Sequence, residues 1–296
     1  MTPRPPLDFF IIGAEKAGTT ALWHMLGQLS SVFMPPVKEL HYFVAEEFHE
    51  QGPAYLEPFY AGYQGEALVG GADVHMLFLP YAAQRLVDHS PGVRAVAVLR
   101  DPVERAWSAF WFAKALGLED LDSFEEALEA ETLRPWGEAE HRRARSYLSR
   151  GHYHAQLTRW GEVLGPQHVH VLLSEDLARD PKQTVRDLLT WLGESPPETV
   201  PVPRFSNESG VPRWGRIQRL AHREVRVKGL VRRVTTPALR LRVRQHLVGP
   251  LSRWNMRARP NPPMPPGVRA RLNEHFRPHN ERLAALLGRD LAHWST

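Results

Sequence analysis

The chain has 296 residues, 43% of them apolar, and a net charge of +4, a length that suits one large α/β domain, with or without a subdomain, and a substantial core. It contains no cysteine, which excludes disulfides and thiolate metal sites and makes a reducing compartment, the cytoplasm, its natural home. The first apolar run, 9–12, is too short for a signal peptide and no run is long enough to span a bilayer, so a soluble protein is expected.

The first element is a buried strand at 8–12, which runs into a loop bounded by Gly13 and Gly18 and then into a helix at 19–29. Glycines allow the tight turn and a close ligand approach, and the opening N–H groups of the helix, with its dipole behind them, suit an anion. The loop resembles the P-loop of nucleotide triphosphatases but has Thr19 where those have lysine, and its Lys16 sits inside the loop. That shift disfavours an ATP–Mg site.

The pattern continues with a strand near 67–71, a helix at 80–88, a strand at 94–99, a helix at 103–116, acidic helical sequence at 122–132, helical spacing from Tyr147 to Trp160, a strand at 168–173 and a helix opened by Pro181. Alternating strands and helices predict a P-loop-like α/β fold, a central parallel sheet flanked by helices with ligands at the carboxyl ends of its strands. Pro-rich connectors at 194–205 and 260–267 flank a basic stretch, Arg213 to Arg259, with fourteen Lys and Arg against the single acid Glu224. Its apolar residues, Ile217, Leu220, Val227 and Leu230 among them, predict amphipathic helices. Two roles fit: a lid over an acceptor cleft, which is preferred, or a surface for anionic lipid or an acidic polymer. Nucleic acid is not expected, because no nucleic-acid-binding fold accompanies the charge.

At the second strand-to-helix junction, Val96 to Leu99 lead into Arg100-Asp101-Pro102, with Ser108 two turns into the helix. Arg100 and Ser108 are placed to hold one anion, a guanidinium fork plus a hydroxyl. Pairing of Arg100 with Asp101 or Glu104 is the alternative.

Together these pieces resemble the sulfotransferases that use 3′-phosphoadenosine 5′-phosphosulfate (PAPS). Gly13 to Thr20 is similar to the family's 5′-phosphosulfate loop and Leu99 to Ser108 to its 3′-phosphate motif. Lys38-Glu39-Leu40-His41-Tyr42-Phe43 is similar to the Lys-Glu-x-His-Phe-Phe segment of the heparan-sulfate and related carbohydrate branch. Arg150-Gly151-His152-Tyr153, Ser174 to Leu177 and the closing Phe276 to Asn280 also fit that branch, the resemblance spanning about 7–210 and 267–294. It implies a single sulfotransferase domain over 1–296, of soluble bacterial type, with the insert at about 213–259. It also implies PAPS as donor, the desulfated nucleotide PAP as product, and no metal. Lys16, Ala17, Gly18, Thr19, Thr20, Arg100 and Ser108 would bind the nucleotide, joined by Arg213 from a loose counterpart of the family's late basic loop. The motif after the second strand departs from the family pattern: Gly70-Gly71-Ala72-Asp73-Val74-His75-Met76 has no lysine, so acceptor identity does not carry over.

Sulfuryl transfer to a hydroxyl needs in-line positioning, a base, and neutralisation of the leaving phosphate. Glu39, in a non-helical stretch after Pro35 and Pro36, is the candidate base, a surface pair with Lys38 being the plain alternative. Lys16 is the candidate to neutralise the leaving group. Lys38 guides the sulfonate, restrains Glu39 or lies on the surface; His41 and His75 orient an acceptor hydroxyl or simply pack. His152 and His154 are read as facing different sides of a helix, which speaks against a metal pair. The expected acceptor is a carbohydrate-like or small molecule, taking sulfate on oxygen or, secondarily, on nitrogen. A P-loop-type small-molecule kinase and a nonenzymatic anion- or membrane-surface-binding protein remain as alternatives.

Overall fold

The computed structural model describes residues 6–133, 145–202 and 261–295, together with the backbone of two short strands, Gly210–Pro212 and Met256–Ala258. The chain divides into two compact units. The first comprises Met1–Arg105, Ser149–Phe205 and Arg271–Thr296, the second Ala106–Leu148 and Ser206–Ala270.

In chain order the first unit begins with β1 (Phe9–Gly13), α1 (Thr19–Leu26), β2 (Val32–Phe33), α2 (Glu46–His49), α3 (Glu57–Tyr60), β3 (Leu68–Ala72), α4 (Ala82–His89) and β4 (Arg94–Leu99). Helix α5 (Pro102–Leu116) runs from the first unit into the second, where α6 (Phe124–Leu133) follows. The first unit resumes with α7 (Tyr153–Leu164), β5 (Val169–Leu173), α8 (Ser174–Arg179) and α9 (Pro181–Trp191). Strands β6 (Gly210–Pro212) and β7 (Met256–Ala258) precede the long helix α10 (Pro266–Leu287).

Among the described residues, five strands form one parallel sheet in the order β2-β3-β1-β4-β5. Phe9 to Ile12 and Ala95 to Leu99 are fully buried, as expected of apolar strands covered on both faces by helices. Helices α1 with α9 and α4 with α7 pack in pairs. Gly70 and Gly71 of β3 leave room for the rings of Phe9 and Phe10: a Cβ would meet Phe9 Cζ or Phe10 Cε2 at 2.4 Å. The chain passes from β3 across β1 to β4, so the carboxyl ends of these three strands flank a switch point, the place where open α/β sheets take ligands. The loops after them carry Lys16, Asp73 and Arg100. They are pinned to the sheet where Asp73 N–H donates to Ile11 O at 3.0 Å, Leu77 N–H to Ile12 O at 2.8 Å and Ala14 N–H to Val98 O at 2.7 Å.

In the second unit, Phe124 packs against Trp107, Phe110 and Tyr147, with ring centroids 5.2, 5.2 and 5.9 Å apart. The Tyr147 hydroxyl donates to Glu119 at 2.9 Å.

The boundaries differ from expectation at three places. The helical spacing from Tyr147 is misleading, because the helix starts at Tyr153. Tyr147 and Leu148 instead give their N–H groups to Glu131 Oε2, both at 2.7 Å, which satisfies them outside any helix. Helix α1 stops at Leu26, capped by Gly27. Pro266, read as connector, opens α10, where a proline's missing N–H costs nothing. The basic stretch between β6 and β7, with its expected amphipathic helices and lid, lies outside the described residues.

Candidate active site

The loop after β1 has the backbone its glycines allow, with φ of +150° at Gly13 and +101° at Gly18. Gly18 is the N-cap of α1 and has no side chain to offer the opening N–H groups, which leaves that end to an anion. Ala17 and Thr19 are buried beneath it, whereas Gly18 and Thr20 are exposed.

Cations gather at this edge. Arg100, at the end of β4, donates from Nη1 to the Lys16 carbonyl at 3.3 Å and reaches Glu104 at 3.4 Å, so the helix-opening ion pair forms together with a tie to the phosphate loop. Burial lowers the pKa of the Lys16 ammonium; Glu15 offsets part of this, and the positive charges of Arg100 and Lys38 add to the lowering. Lys38 donates from Nζ to Glu39 Oε1 at 2.6 Å and to Thr19 Oγ1 at 3.2 Å, joining the Lys38-Glu39 segment to the first turn of α1.

Glu39 Oε2 accepts the Val74 N–H at 2.7 Å, and its side chain is 18% exposed. Burial pushes its pKa up. Lys38 pulls it back and Asp73 adds to the rise, leaving the carboxyl above its ordinary value.

The sequence reading gave Asp73 no role, yet it organises the far side of the site. Its Oδ2 accepts from the His41 N–H at 3.0 Å and faces His41 Nδ1 at 3.1 Å, and its Oδ1 accepts the His75 N–H at 3.0 Å. Burial alone would raise the pKa of this carboxyl, but the charge and hydrogen bond of His41, with His75 adding, hold it well below the usual carboxylate range. A carboxylate on His41 Nδ1 makes that nitrogen the donor and, in the neutral ring, leaves Nε2 as acceptor. The His41 and His75 rings stack at 6.0 Å. Arg150 Nη2 lies 2.7 Å from His75 Nδ1. Because a guanidinium only donates, Nδ1 accepts and His75 carries its proton on Nε2. Arg150 also reaches Glu15 at 3.7 Å, and the Tyr153 hydroxyl donates to the Arg100 carbonyl at 3.0 Å.

Of the residues singled out from sequence, Lys16, Ala17, Gly18, Thr19, Thr20, Lys38, Glu39, His41, His75 and Arg100 all belong to the first unit. Ser108 is buried on α5 in the second unit, and Arg213 lies outside the described residues. Asp73, Glu15 and Arg150 are the additions. A buried aspartate at the end of a glycine-rich strand, between two histidine segments, was the signal available for the first. His152 is not a helical neighbour facing away from His154; it precedes α7 as its N-cap and meets His275 and His279.

A family profile described as "Sulfotransferase domain" matches residues 6–203. The crystal structure of a sulfotransferase from Alicyclobacillus acidocaldarius is similar with a TM-score of 0.70 and 28% identity, covering 99% of this chain and 100% of that one. Among curated proteins, the bifunctional heparan sulfate N-deacetylase/N-sulfotransferase 1 of Caenorhabditis briggsae is 26% identical over 223 residues, 69% of this chain and 24% of that protein. The membrane-associated sulfotransferase kil1 of Dictyostelium discoideum is 30% identical over 109 residues, 36% of this chain and 23% of that protein. The match thus spans about a quarter of the length of these curated relatives. No helix among the described residues is long and apolar enough to cross a membrane.

Proposed function

We propose, since the chain belongs to the sulfotransferase family, that it transfers the sulfuryl group of PAPS to a hydroxyl of a carbohydrate-like or small-molecule acceptor. The observation that carries this reading is the gathering of three cations, Lys16, Lys38 and Arg100, around the largely buried carboxylate of Glu39 at the phosphate-loop edge of the sheet. The α1 terminus and Lys16 bind the 5′-phosphosulfate, and Arg100 the 3′-phosphate. Glu39 takes the proton from the acceptor hydroxyl as its oxygen bonds to sulfur. The bond from sulfur to the bridging oxygen breaks, its electron pair stays with PAP, and Lys16 neutralises the charge that builds there. Lys38 draws the raised pKa of Glu39 back down and so favours its ionised form. His75, donating from Nε2, orients the acceptor.

The Asp73-oriented ring of His41 supports a second assignment of the base, with Nε2 as proton acceptor. The heparan sulfate N-sulfotransferase relative extends the acceptor class to amines. We read the chain as a single domain carrying the basic segment as an insert, and a reducing cytoplasm suits its lack of cysteine.

Thermal shift and calorimetry with PAP in EDTA, against ATP–Mg, test the donor: PAP should stabilise the fold without a divalent ion. A rise with ATP–Mg and none with saturating PAP would assign the phosphate loop to a kinase. Liposome flotation and a sulfate-transfer assay, each with and without residues 213–259, separate catalysis from surface binding.

A further inference from the structure

Away from the candidate active site, three histidines from two distant parts of the chain converge. His152 is the N-cap of α7, while His275 and His279 lie one helical turn apart on α10, a spacing that puts two rings on one face. His152 Nε2 lies 3.0 Å from His275 Nε2, and the His152 and His279 rings stack with centroids 4.1 Å apart. One donor atom from each of the three falls within 4.8 Å of the others. Two nitrogens bound to one tetrahedral zinc at about 2.0–2.1 Å stand roughly 3.3–3.4 Å apart, so the first pair, at 3.0 Å, has to open by only about 0.3–0.4 Å to serve as ligands to one ion. Small rotations of the rings bring in the third.

We propose that His152, His275 and His279 form a binding site for a divalent transition-metal ion, zinc by its donor set, which fastens α10 to the amino end of α7.

Imidazole nitrogens alone, with no carboxylate in the cluster, suit zinc, nickel or copper and not magnesium or calcium. His275 is exposed, so the fourth position is open to water. The backbone around the site is held by packing: a Cβ at Gly151 would meet Phe276 at 2.6 Å and Pro102 at 3.0 Å, fixing the chain before His152 against the helix that carries the other two ligands. Arg105 beside His152 and Arg282 beside His279 work against a cation, so affinity should fall below that of closed four-ligand sites. His152 is two residues from Arg150, the partner of His75. An occupied site would therefore stiffen the chain next to the candidate acceptor side.

The test uses the full chain without a histidine tag, stripped with EDTA and titrated with zinc chloride by calorimetry and thermal shift. The expected result is one zinc per chain, a raised melting temperature and no response to magnesium. His275→Ala and His279→Ala should each weaken zinc binding at least tenfold, with metal-free melting close to wild type for the exposed His275→Ala. His154→Ala should leave binding unchanged. The cobalt(II) form should show visible d–d bands that are lost in His275→Ala. Absence of saturable binding of one zinc, or binding unaltered by the His275→Ala/His279→Ala double variant, would overturn the assignment; the latter would direct the ion to the His41, Asp73 and His75 cluster.

Discussion

The ammonium of Lys38 meets the carboxylate of Glu39 at 2.6 Å, with side chains only 8% and 18% exposed. Consecutive residues thus form a largely buried ion pair whose cation also bonds Thr19 of the phosphate loop. If Glu39 is the base, Glu39→Gln keeps shape and hydrogen bonding but removes proton affinity. It should lower kcat by roughly 10²-fold or more, with PAP affinity nearly intact by calorimetry. If turnover instead survives and is lost in His41→Gln, the Asp73-oriented ring is the base.

The same pair shapes the pH profile. As the proposed base Glu39 would act only when ionised, and burial holds its pKa above the ordinary carboxylate value while Lys38 pulls it down. The acid limb of kcat/KM should therefore lie above the usual carboxylate range. In Lys38→Ala it should move to higher pH; an unmoved limb would assign it to another group.

Stability should carry the same signature with the sign that linkage requires. A carboxyl whose folded pKa is raised favours the protonated folded state, so its stabilising effect is complete at low pH and is lost as pH rises through the folded value. The melting temperature of Glu39→Gln relative to wild type should therefore climb as pH rises from about 4, the ordinary carboxylate range, through the raised folded value. A flat difference would mean that Lys38 fully offsets burial.

Arg100 ties the end of β4 to the Lys16 carbonyl while its guanidinium stays partly exposed. Arg100→Ala should weaken PAP binding by about 1.5–3 kcal/mol, the worth of a charge-assisted hydrogen bond. Ser108→Ala should cost less. Calorimetry reads both, and unchanged affinity in the two variants removes them from the 3′-phosphate site.

Asp73 is 1% exposed and holds two backbone N–H groups and a ring. Asp73→Ala strands all three and removes the partner of His41. Urea unfolding should show a loss of about 1–3 kcal/mol, the cost of leaving hydrogen-bonding groups without their buried partner, and Asp73→Asn should lose less. A change below 1 kcal/mol would show that water replaces the carboxylate, since that is the scale of one exposed interaction.

What the sequence disclosed was local. The apolar run of β4 and the glycine-bounded loop after β1 announce themselves through short-range pattern, and the strand at 94–99 matches Arg94–Leu99. The two-residue β2 is too short to have a period. The start of α7 was masked because Tyr147 and Leu148 find their hydrogen-bond partner in Glu131, far along the chain. Asp73 and Arg150 acquire meaning only when the sheet brings the ends of β1 and β3 together with the residues before α7. The histidine trio joins positions 123 apart, beyond any spacing rule.

Strand β6 pairs antiparallel with β7, Gly210 opposite Ala258 and Pro212 opposite Met256, so two points far apart in the sequence stand side by side. The entropic cost of closing the stretch between them rises only with the logarithm of its length. A change in the number of residues joining the two strands should therefore cost little in closure entropy. The family profile ends at residue 203, just ahead of β6.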